Sequence, residues 1–496
     1  MMKVLLINPP QIFYPGSDAP AGNLPLGLMY IAAVLEKAGY KAEILDAFMT
    51  DPSFLKVGDV TEVGMPQKRI REEIQRKKPD IVGIANPFTC QSENAIRVAD
   101  EVKKVDPKVL TVVGGPHTTV VPLEFLAAAK NVDIAVVGEG EYTMLDIVQH
   151  FEGRKKLGDV QGIAYREDGK LVLNAPRPFI DDLDKLPYPA YHLVDMEQYL
   201  SPQGIEYRSF KDRAISMITS RGCPFNCNFC SVHLHMGKMF RAHSVTYVLE
   251  HIQFVIDKYR VKTIFFEDDN LTLDKKRFEA ICDNIIEKNV KFNWETPNGI
   301  RADYLTEDLL KKMQRAGCRS IIFAIESGDQ AVLDNIIDKS LRLEDAIRVA
   351  KMCKEAGLPA SAFYIIGFPG EKKENMMKTV NLALRLKRDY DLGMHLHIAT
   401  PLYGTRLYKH CKDEGFIREN LTPRDFAEVR QTRGMPLIET KDFTPSEVRK
   451  IAIDAFKAYK RLSLINYVKN PGKTLKTALS YPKIIIKFIE DYLGRR

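Results

Sequence analysis

The stretch Ser220-Arg-Gly-Cys-Pro-Phe-Asn-Cys-Asn-Phe-Cys-Ser231 decides the reading of this chain. It sets Cys223, Cys227 and Cys230 close together, although the 496 residues include only 8 cysteines. Closed zinc sites and most iron–sulfur sites take four protein ligands. Three thiolates on one loop can instead hold a 4Fe–4S cluster by three irons and leave the fourth open to a substrate or cofactor. Zinc, or three reduced thiols in a loop, are the competing readings. Position favours the cluster. The apolar run Ala214-Ile-Ser-Met-Ile-Thr219 just upstream reads as a strand, and barrel sites are built on loops that leave strand ends. Gly222 and Pro224 shape a tight loop, and Phe229 can shield a cluster.

From 214 to 405 short apolar strands alternate with helical patterns. Strands are expected at 214–219, 263–268, 292–296, 320–325, 361–366 and 394–400. Six such units describe a partial (β/α)6 barrel with its chemistry at the strand carboxyl ends. Those ends carry Glu267-Asp268-Asp269, Arg301, Glu326, the glycines of Gly367-Phe-Pro-Gly370, and Pro401. His395 and His397 alternate on the sixth strand and so share one face. They either point into the barrel as substrate or acid–base groups, or are satisfied core histidines.

Residues 1–152 show the same alternation. Strands are expected at Val4–Asn8, Lys41–Leu45, Ile81–Ala85, Val109–Val113 and Ile134–Val137, with helices such as Gly27–Ala38, Gln67–Lys77 and Glu93–Val105 between them. This order indicates a doubly wound parallel α/β sheet of Rossmann-like type, whose ligands lie at the strand carboxyl ends. Here those ends carry Asn8-Pro9-Pro10, Asn86 to Cys90 with Thr89, Gly114-Gly115-Pro-His117 and Gly138-Glu139-Gly140-Glu141. Residues 153–213, with the Pro-rich run 176–189, read as a linker. Asp181, Asp182 and Asp184 on it read as a solvated face.

The cysteine loop resembles the C-x3-C-x-aromatic-C signature of the radical S-adenosylmethionine family, and the strand-end elements recur in that family's order over 214–405. The resemblance implies that the open iron chelates S-adenosylmethionine, and that one electron then releases a 5′-deoxyadenosyl radical that abstracts hydrogen from an unactivated C–H bond. It also implies an electron donor such as flavodoxin or ferredoxin. S-adenosylmethionine contacts fall on Asp268 or Asp269 (amine), Arg301 (carboxylate, with a salt bridge as the competing reading), Glu326 (ribose), Gly367 and Pro401. The N-terminal block resembles the cobalamin-binding domain fused to many members of the family. That implies cobalamin contacts at Asn8, Pro9, Thr89, Gly114, Gly115, His117, Gly138, Glu139 and Gly140. One departure stands out: where cobalt-ligating relatives carry D-x-H, this chain reads Asp46-Ala47-Phe48. Cobalamin is therefore expected without a histidine ligand from that motif, the rival being a domain that kept the fold and lost the cofactor.

The functional expectation is a cobalamin-dependent radical methyltransferase. The alternative is a radical oxidoreductase, cyclase or C–C bond-forming enzyme without methyl transfer, and a mere cofactor-binding protein is the remote third. Cys90, Cys282, Cys318, Cys353 and Cys411 show no second cluster spacing, which argues against methylthiotransferases. Apolar content of 45% and charge of 28% are ordinary for a globular protein. The net charge of +7 resides in the last forty residues. A nucleic-acid binder is therefore not indicated, and a cytoplasmic protein is expected. Residues 406–496 are expected to be helical, with a basic, bulky apolar tail suited to an anionic membrane face and hence to a lipid or isoprenoid substrate.

Overall fold

The computed structural model describes residues 2–13, 22–51, 53–58, 60–200, 213–429 and 434–469. Seven strands form the N-terminal sheet, in the spatial order Lys170–Leu173, Ile163–Glu167, Ile134–Val136, Leu110–Gly114, Ile81–Ala85, Lys3–Asn8, Lys41–Asp46. The last five are mutually parallel, and their near-continuous apolar runs are buried because helices cover both faces. Lys3–Asn8 lies between Lys41–Asp46 and Ile81–Ala85, so the winding reverses there. The crevice at such a reversal, between the ends at Asn8 and Ala85, is where this class of sheet takes ligands.

The expected linker begins later than the sequence suggested. Ile163–Glu167 and Lys170–Leu173 form a hairpin that extends the sheet as antiparallel strands. Asp168 and Gly169, both at positive φ, turn it. Only the stretch after it is a strap, anchored by Leu183 and Leu186 packing on Tyr30 and Val34. Asp184 is more than solvated surface, since it accepts from the backbone amide of Ser244 at 2.9 Å. A small antiparallel sheet of Gln11–Phe13, Ser53–Val57 and Val60–Gly64 was also not foreseen.

The second unit is a six-stranded sheet in sequential order: Ala214–Met217, Thr263–Phe266, Asn293–Ile300, Cys318–Glu326, Ala360–Ile366, Gly393–Ile398. Every neighbouring pair is parallel, and the first and sixth strands do not pair, so the barrel is open. Helices pack its outside around fully buried Trp294, whose indole N–H donates to the Ala316 carbonyl at 2.9 Å. Helix Pro445–Lys469 packs on helix Lys373–Tyr390 and on the sixth strand. Thr444 and Glu447 cap it reciprocally, and Pro445 sits at its first turn. The tail from 470 onward, to which membrane attachment was assigned, lies outside the described residues.

Candidate functional site: a cysteine loop docked on the N-terminal sheet

Strand Ser220–Arg221 pairs antiparallel with Arg241–Ala242, Arg221 opposite Arg241. Residues 222–240 are thereby a closed loop at the end of the first barrel strand. Gly222 has φ +87°, and an added Cβ would clash with the Met239 carbonyl oxygen. Its N–H donates to Asp269 Oδ2 at 2.8 Å. Asn228 ties the middle of the loop to the carbonyls of Ile336 and Ile337 at 2.6 and 2.8 Å. Cys223, Cys227 and Cys230 are the partly exposed cysteines, while the other five are buried. Burial pushes the Cys230 thiol up to about 12, and raises Cys227 despite the nearby cations of Lys339 and Arg301. Thiols this desolvated ionise when a metal takes them. Among the described residues no group of three His, Cys, Asp or Glu converges on a single-ion position. The three cysteines share this one loop, and three thiolates fit a cluster with one iron left open, whereas a closed zinc site takes four protein ligands.

The acidic and basic groups around the loop are more committed than the sequence suggested. Asp268, 1% exposed, is used up inside the protein. It accepts from the Thr219 amide and hydroxyl and from Ser220 Oγ, at 2.5–3.2 Å, and so braces the start of the loop. Asp269 is the acid that faces the cysteine loop, and burial pushes its carboxyl up to about 6. Arg301 forks onto Asp303 at 2.8–3.3 Å, donates to the Ser340 carbonyl and stacks over Phe225, 3.8 Å from the ring centroid. The competing salt bridge is therefore present, with Asp303 as its partner. Glu326, at φ +69°, pairs with Lys339 at 2.9 Å, both side chains under 8% exposed. The carboxylate expected to meet a ribose thus has Lys339 as its partner through one oxygen. Gly367 has φ +90°, and its amide and that of Phe368 donate to Glu371 at 2.8 Å each. Glu371 is fully buried, its other oxygen has no partner, and burial pushes it up to about 7. Pro401 is buried at the end of the sixth strand.

His395 and His397 are solvent-accessible although protein atoms surround most of each ring. They line the barrel lumen and are not core histidines. Phe363 lies 5.5 and 5.6 Å from their centroids, and Ser361 Oγ is 3.1 Å from His395 Nε2. Burial lowers both, His395 to about 4, so the lumen presents neutral imidazoles.

At the N-terminal sheet's carboxyl edge, Asn8 donates to Asp46 at 2.9 Å, and Pro9 is buried beside it. Asp46 also accepts from the Phe48 and Met49 amides and the Tyr199 hydroxyl. Phe48 itself is buried, so the Asp46 carboxylate that would orient a histidine in D-x-H is spent on the chain. Gly115, at φ +134°, would place a Cβ 2.6 Å from the Asn86 carbonyl oxygen, and Gly114 abuts Val136. Thr89 Oγ1 lies 3.0 Å from His117 Nδ1; the imidazole packs near Phe125 and Tyr403, and burial lowers it to about 4. His117 thus has a hydrogen-bond partner within the protein. Asn86, 1% exposed at the winding reversal, has neither side-chain oxygen nor nitrogen paired. An amide-bearing ligand at the crevice would answer that deficit, which fits the acetamide-rich periphery of cobalamin. Gly138, at φ +83°, faces open space.

Glu139, a cobalamin-contact residue in the sequence reading, has partners within the protein. Its carboxylate turns away from the sheet edge and meets Arg221 at 2.7 Å, Arg241 at 2.9 Å and the Ile180 amide at 2.7 Å. Gly140 packs against Ile31. Glu141 takes the second branch of Arg221 at 2.7 Å. Arg221, Arg241 and Lys339 were missed in the sequence, while Asn86 and Glu371 stood there only as members of strand-end motifs. The only hint was that one glycine-rich loop carries two acids and both ends of the cysteine loop carry arginines.

Residues 21–148 match the family model for a B12 binding domain, and residues 217–383 match that of the radical SAM superfamily. The chain is 31% identical to an uncharacterized methyltransferase of Pyrococcus horikoshii, over 98% of this chain and 97% of that one. It is 31% identical to the cytidylyl-2-hydroxyethylphosphonate methyltransferase of Streptomyces wedmorensis, over 84% and 82%. With an anaerobic magnesium-protoporphyrin IX monomethyl ester cyclase of Rubrivivax gelatinosus it shares 29% identity over 79% and 67%. The solved structure of the methyltransferase TsrM from Kitasatospora setae, with cobalamin and a [4Fe-4S] cluster bound, has a similar fold: TM-score 0.67 at 16% identity, covering 93% and 89%.

Proposed function

The chain belongs to the radical S-adenosylmethionine enzymes that carry a B12-binding domain, with a 4Fe–4S cluster, S-adenosylmethionine and cobalamin as cofactors, and on that premise we propose that it transfers a methyl group to an unactivated carbon. When bound, the cluster with S-adenosylmethionine supplies one-electron hydrogen abstraction, and cobalamin supplies the methyl carrier. The observation that carries the reading is the docking of the cysteine loop on the B12-binding domain through Glu139 and Glu141. Methyl transfer to a carbon radical needs both cofactors at one substrate, and this interface joins the cysteine loop to a loop that would border cobalamin. It accords with the full-length likeness to methyltransferases.

Cys223, Cys227 and Cys230 would hold the cluster. Asp269, which accepts from the Gly222 amide, would lie beside it, and Phe229, packed on Phe368 with centroids 5.8 Å apart, would keep water from one side. Gly367 and Gly370, each at φ +90°, shape the turn that would border the nucleoside part of S-adenosylmethionine. Asn86 and the open side of Gly138 would meet cobalamin, with no protein histidine offered from the Phe48 position. His395 and His397 would hold an uncharged polar group of the substrate as hydrogen-bond partners, against the Phe363 ring. A flavodoxin or ferredoxin would supply electrons. A lipid or isoprenoid substrate reached from an anionic membrane face rests on the composition of residues 470–496 alone.

Anaerobic reconstitution should give about four irons per chain, and dithionite should yield 5′-deoxyadenosine from S-adenosylmethionine. Cys227→Ala should lose both, and cleavage retained in that variant refutes the cluster assignment. With a validated substrate, S-adenosylhomocysteine should accumulate beside 5′-deoxyadenosine. The likeness to cyclases favours a second reading, carbon–carbon bond formation without methyl transfer. Absence of S-adenosylhomocysteine would select it.

A further inference from the structure

The cysteine loop is closed by two strands of two residues each, and each contributes one arginine to the same place. Arg221 and Arg241 stand opposite one another in the ribbon. Both reach Glu139, which is 82 and 102 residues away in the chain. The side chains of Glu139, Glu141, Arg221 and Arg241 are each 7% exposed or less. Two carboxylates balance two guanidiniums, so the cluster of charges is neutral and shut off from water. Aromatic faces complete it: Tyr30 lies 5.4 Å below Arg221 and Phe179 lies 4.9 Å below Arg241. Two further contacts of the same groups fix the strap between the domains. Arg241 donates to the Ile180 carbonyl at 2.8 Å, and the Ile180 amide donates to Glu139. Gly138, one residue before Glu139, faces open space at the ligand edge, and its amide donates to Thr119 Oγ1 at 3.1 Å. One short loop therefore leaves the carboxyl edge of the sheet with Gly138 open to a ligand and grips the cysteine loop with its next side chain.

We propose that Glu139 is a positioning residue for the radical site: from the B12-binding domain it holds both ends of the cysteine loop in register, so that filling either cofactor site changes affinity at the other. A ligand seated against Gly138 shifts or stiffens the peptide that carries Glu139. The carboxylate cannot follow without disturbing both arginines, because the buried charges have no water to replace a lost partner. Energetic coupling between two sites acts in both directions with the same factor. The proposal rests on the assignment of the cluster to Cys223, Cys227 and Cys230.

The test is a visible-spectrum titration of the full-length chain with hydroxocobalamin, in cluster-free and cluster-loaded forms, with the reduced cluster's electron paramagnetic resonance spectrum recorded before and after cobalamin is added. In the wild-type protein the two dissociation constants should differ by at least about five-fold, and cobalamin should shift the cluster spectrum. In Glu139→Gln the ratio should fall toward one and the spectral shift should vanish, while each cofactor alone still binds. If Glu139→Gln does not fold, Arg241→Lys keeps the charge, loses the forked contact, and should show a reduced ratio. A wild-type chain that takes up no iron overturns the cluster assignment and this proposal with it. A wild-type chain that loads four irons yet binds hydroxocobalamin equally in both forms overturns the proposal alone, as does a well-folded Glu139→Gln or Arg241→Lys with wild-type coupling.

Discussion

Replacing Lys339 with methionine tests whether Glu326 serves the fold or the ribose of a nucleoside. The ammonium lies 2.9 Å from the carboxylate, and the two side chains are 6% and 7% exposed. Glu326 occupies a left-handed backbone position at the end of the fourth barrel strand, where the pairing with the fifth strand slips by one residue. A non-glycine residue held there costs about 1–3 kcal/mol, which its surroundings must offset. Methionine preserves most of the lysine's volume, so packing changes little, but the carboxylate is left buried without its counter-ion. Breaking a buried pair in this way costs about 3–5 kcal/mol, whereas removing both charges is close to neutral. Lys339→Met should therefore lower the urea midpoint of the barrel's unfolding transition by an amount equivalent to several kcal/mol, and Lys339→Met combined with Glu326→Gln should recover most of it. Equilibrium urea unfolding followed by circular dichroism, with the wild type and both single variants, completes the cycle. If Lys339→Met lies within about 1 kcal/mol of the wild type, or the double variant is no more stable than the single, the ion pair is not what holds Glu326.

Glu371 gives a pH signature. Burial raises its carboxyl from the ordinary 4.5 to about 7, so the folded state keeps the proton longer than the unfolded state does. That contribution is complete below about pH 4.5 and is lost as pH rises to 7, an order of 3 kcal/mol at 1.36 kcal/mol per unit. Subtracting the Glu371→Gln stability profile from that of the wild type should expose this fall and cancel the opposing effect of the buried histidines; a flat difference refutes it. Gly222→Ala sets a side chain at φ +87° against the Met239 carbonyl, a strain of roughly 1–3 kcal/mol before the clash is counted. Its iron-to-protein ratio after reconstitution should fall well below that of the wild type, and equal loading would refute the tight-loop argument. Full-length protein should float with anionic liposomes at low salt and sink at high salt, and deleting residues 470–496 should abolish flotation. Failure of the full-length chain to float removes the lipid inference.

Strand positions were legible because their signal is local. Ile81-Val-Gly-Ile-Ala85 is buried on both faces and looks so in the sequence, and five such runs separated by amphipathic helices leave little choice of architecture. The hairpin at 163–173 was read as linker because its outer strand is largely exposed and its composition is mixed. The cysteines were legible because a loop carries their spacing whole. The charged residues were not. Asp268, Arg301 and Glu326 sit where a cofactor-binding residue would sit, and a strand-end position does not tell whether a carboxylate faces a ligand or a lysine 13 residues on. Whether His395 and His397 faced the lumen or the core was likewise undecidable from alternation, which fixes a shared face but not which face it is. Arg221 and Arg241 flank the cysteine loop visibly, but nothing local names their partners, which lie 80 to 102 residues away.

The span of those arginine contacts also bears on the order in which the molecule is made. The cysteine loop is a local object, but its two ends are fixed by a loop synthesised some eighty residues earlier. During synthesis the N-terminal sheet is complete and available as a surface when the cysteines emerge. Iron delivered before that docking would meet three tethered thiols on a mobile arc. After docking, the arc has one shape. Excised from its N-terminal partner, the barrel would bring two arginines to the foot of the cluster site without the two carboxylates that pair with them, so the point at which the chain becomes competent for metal is set by domain assembly and not by the arrival of the last cysteine.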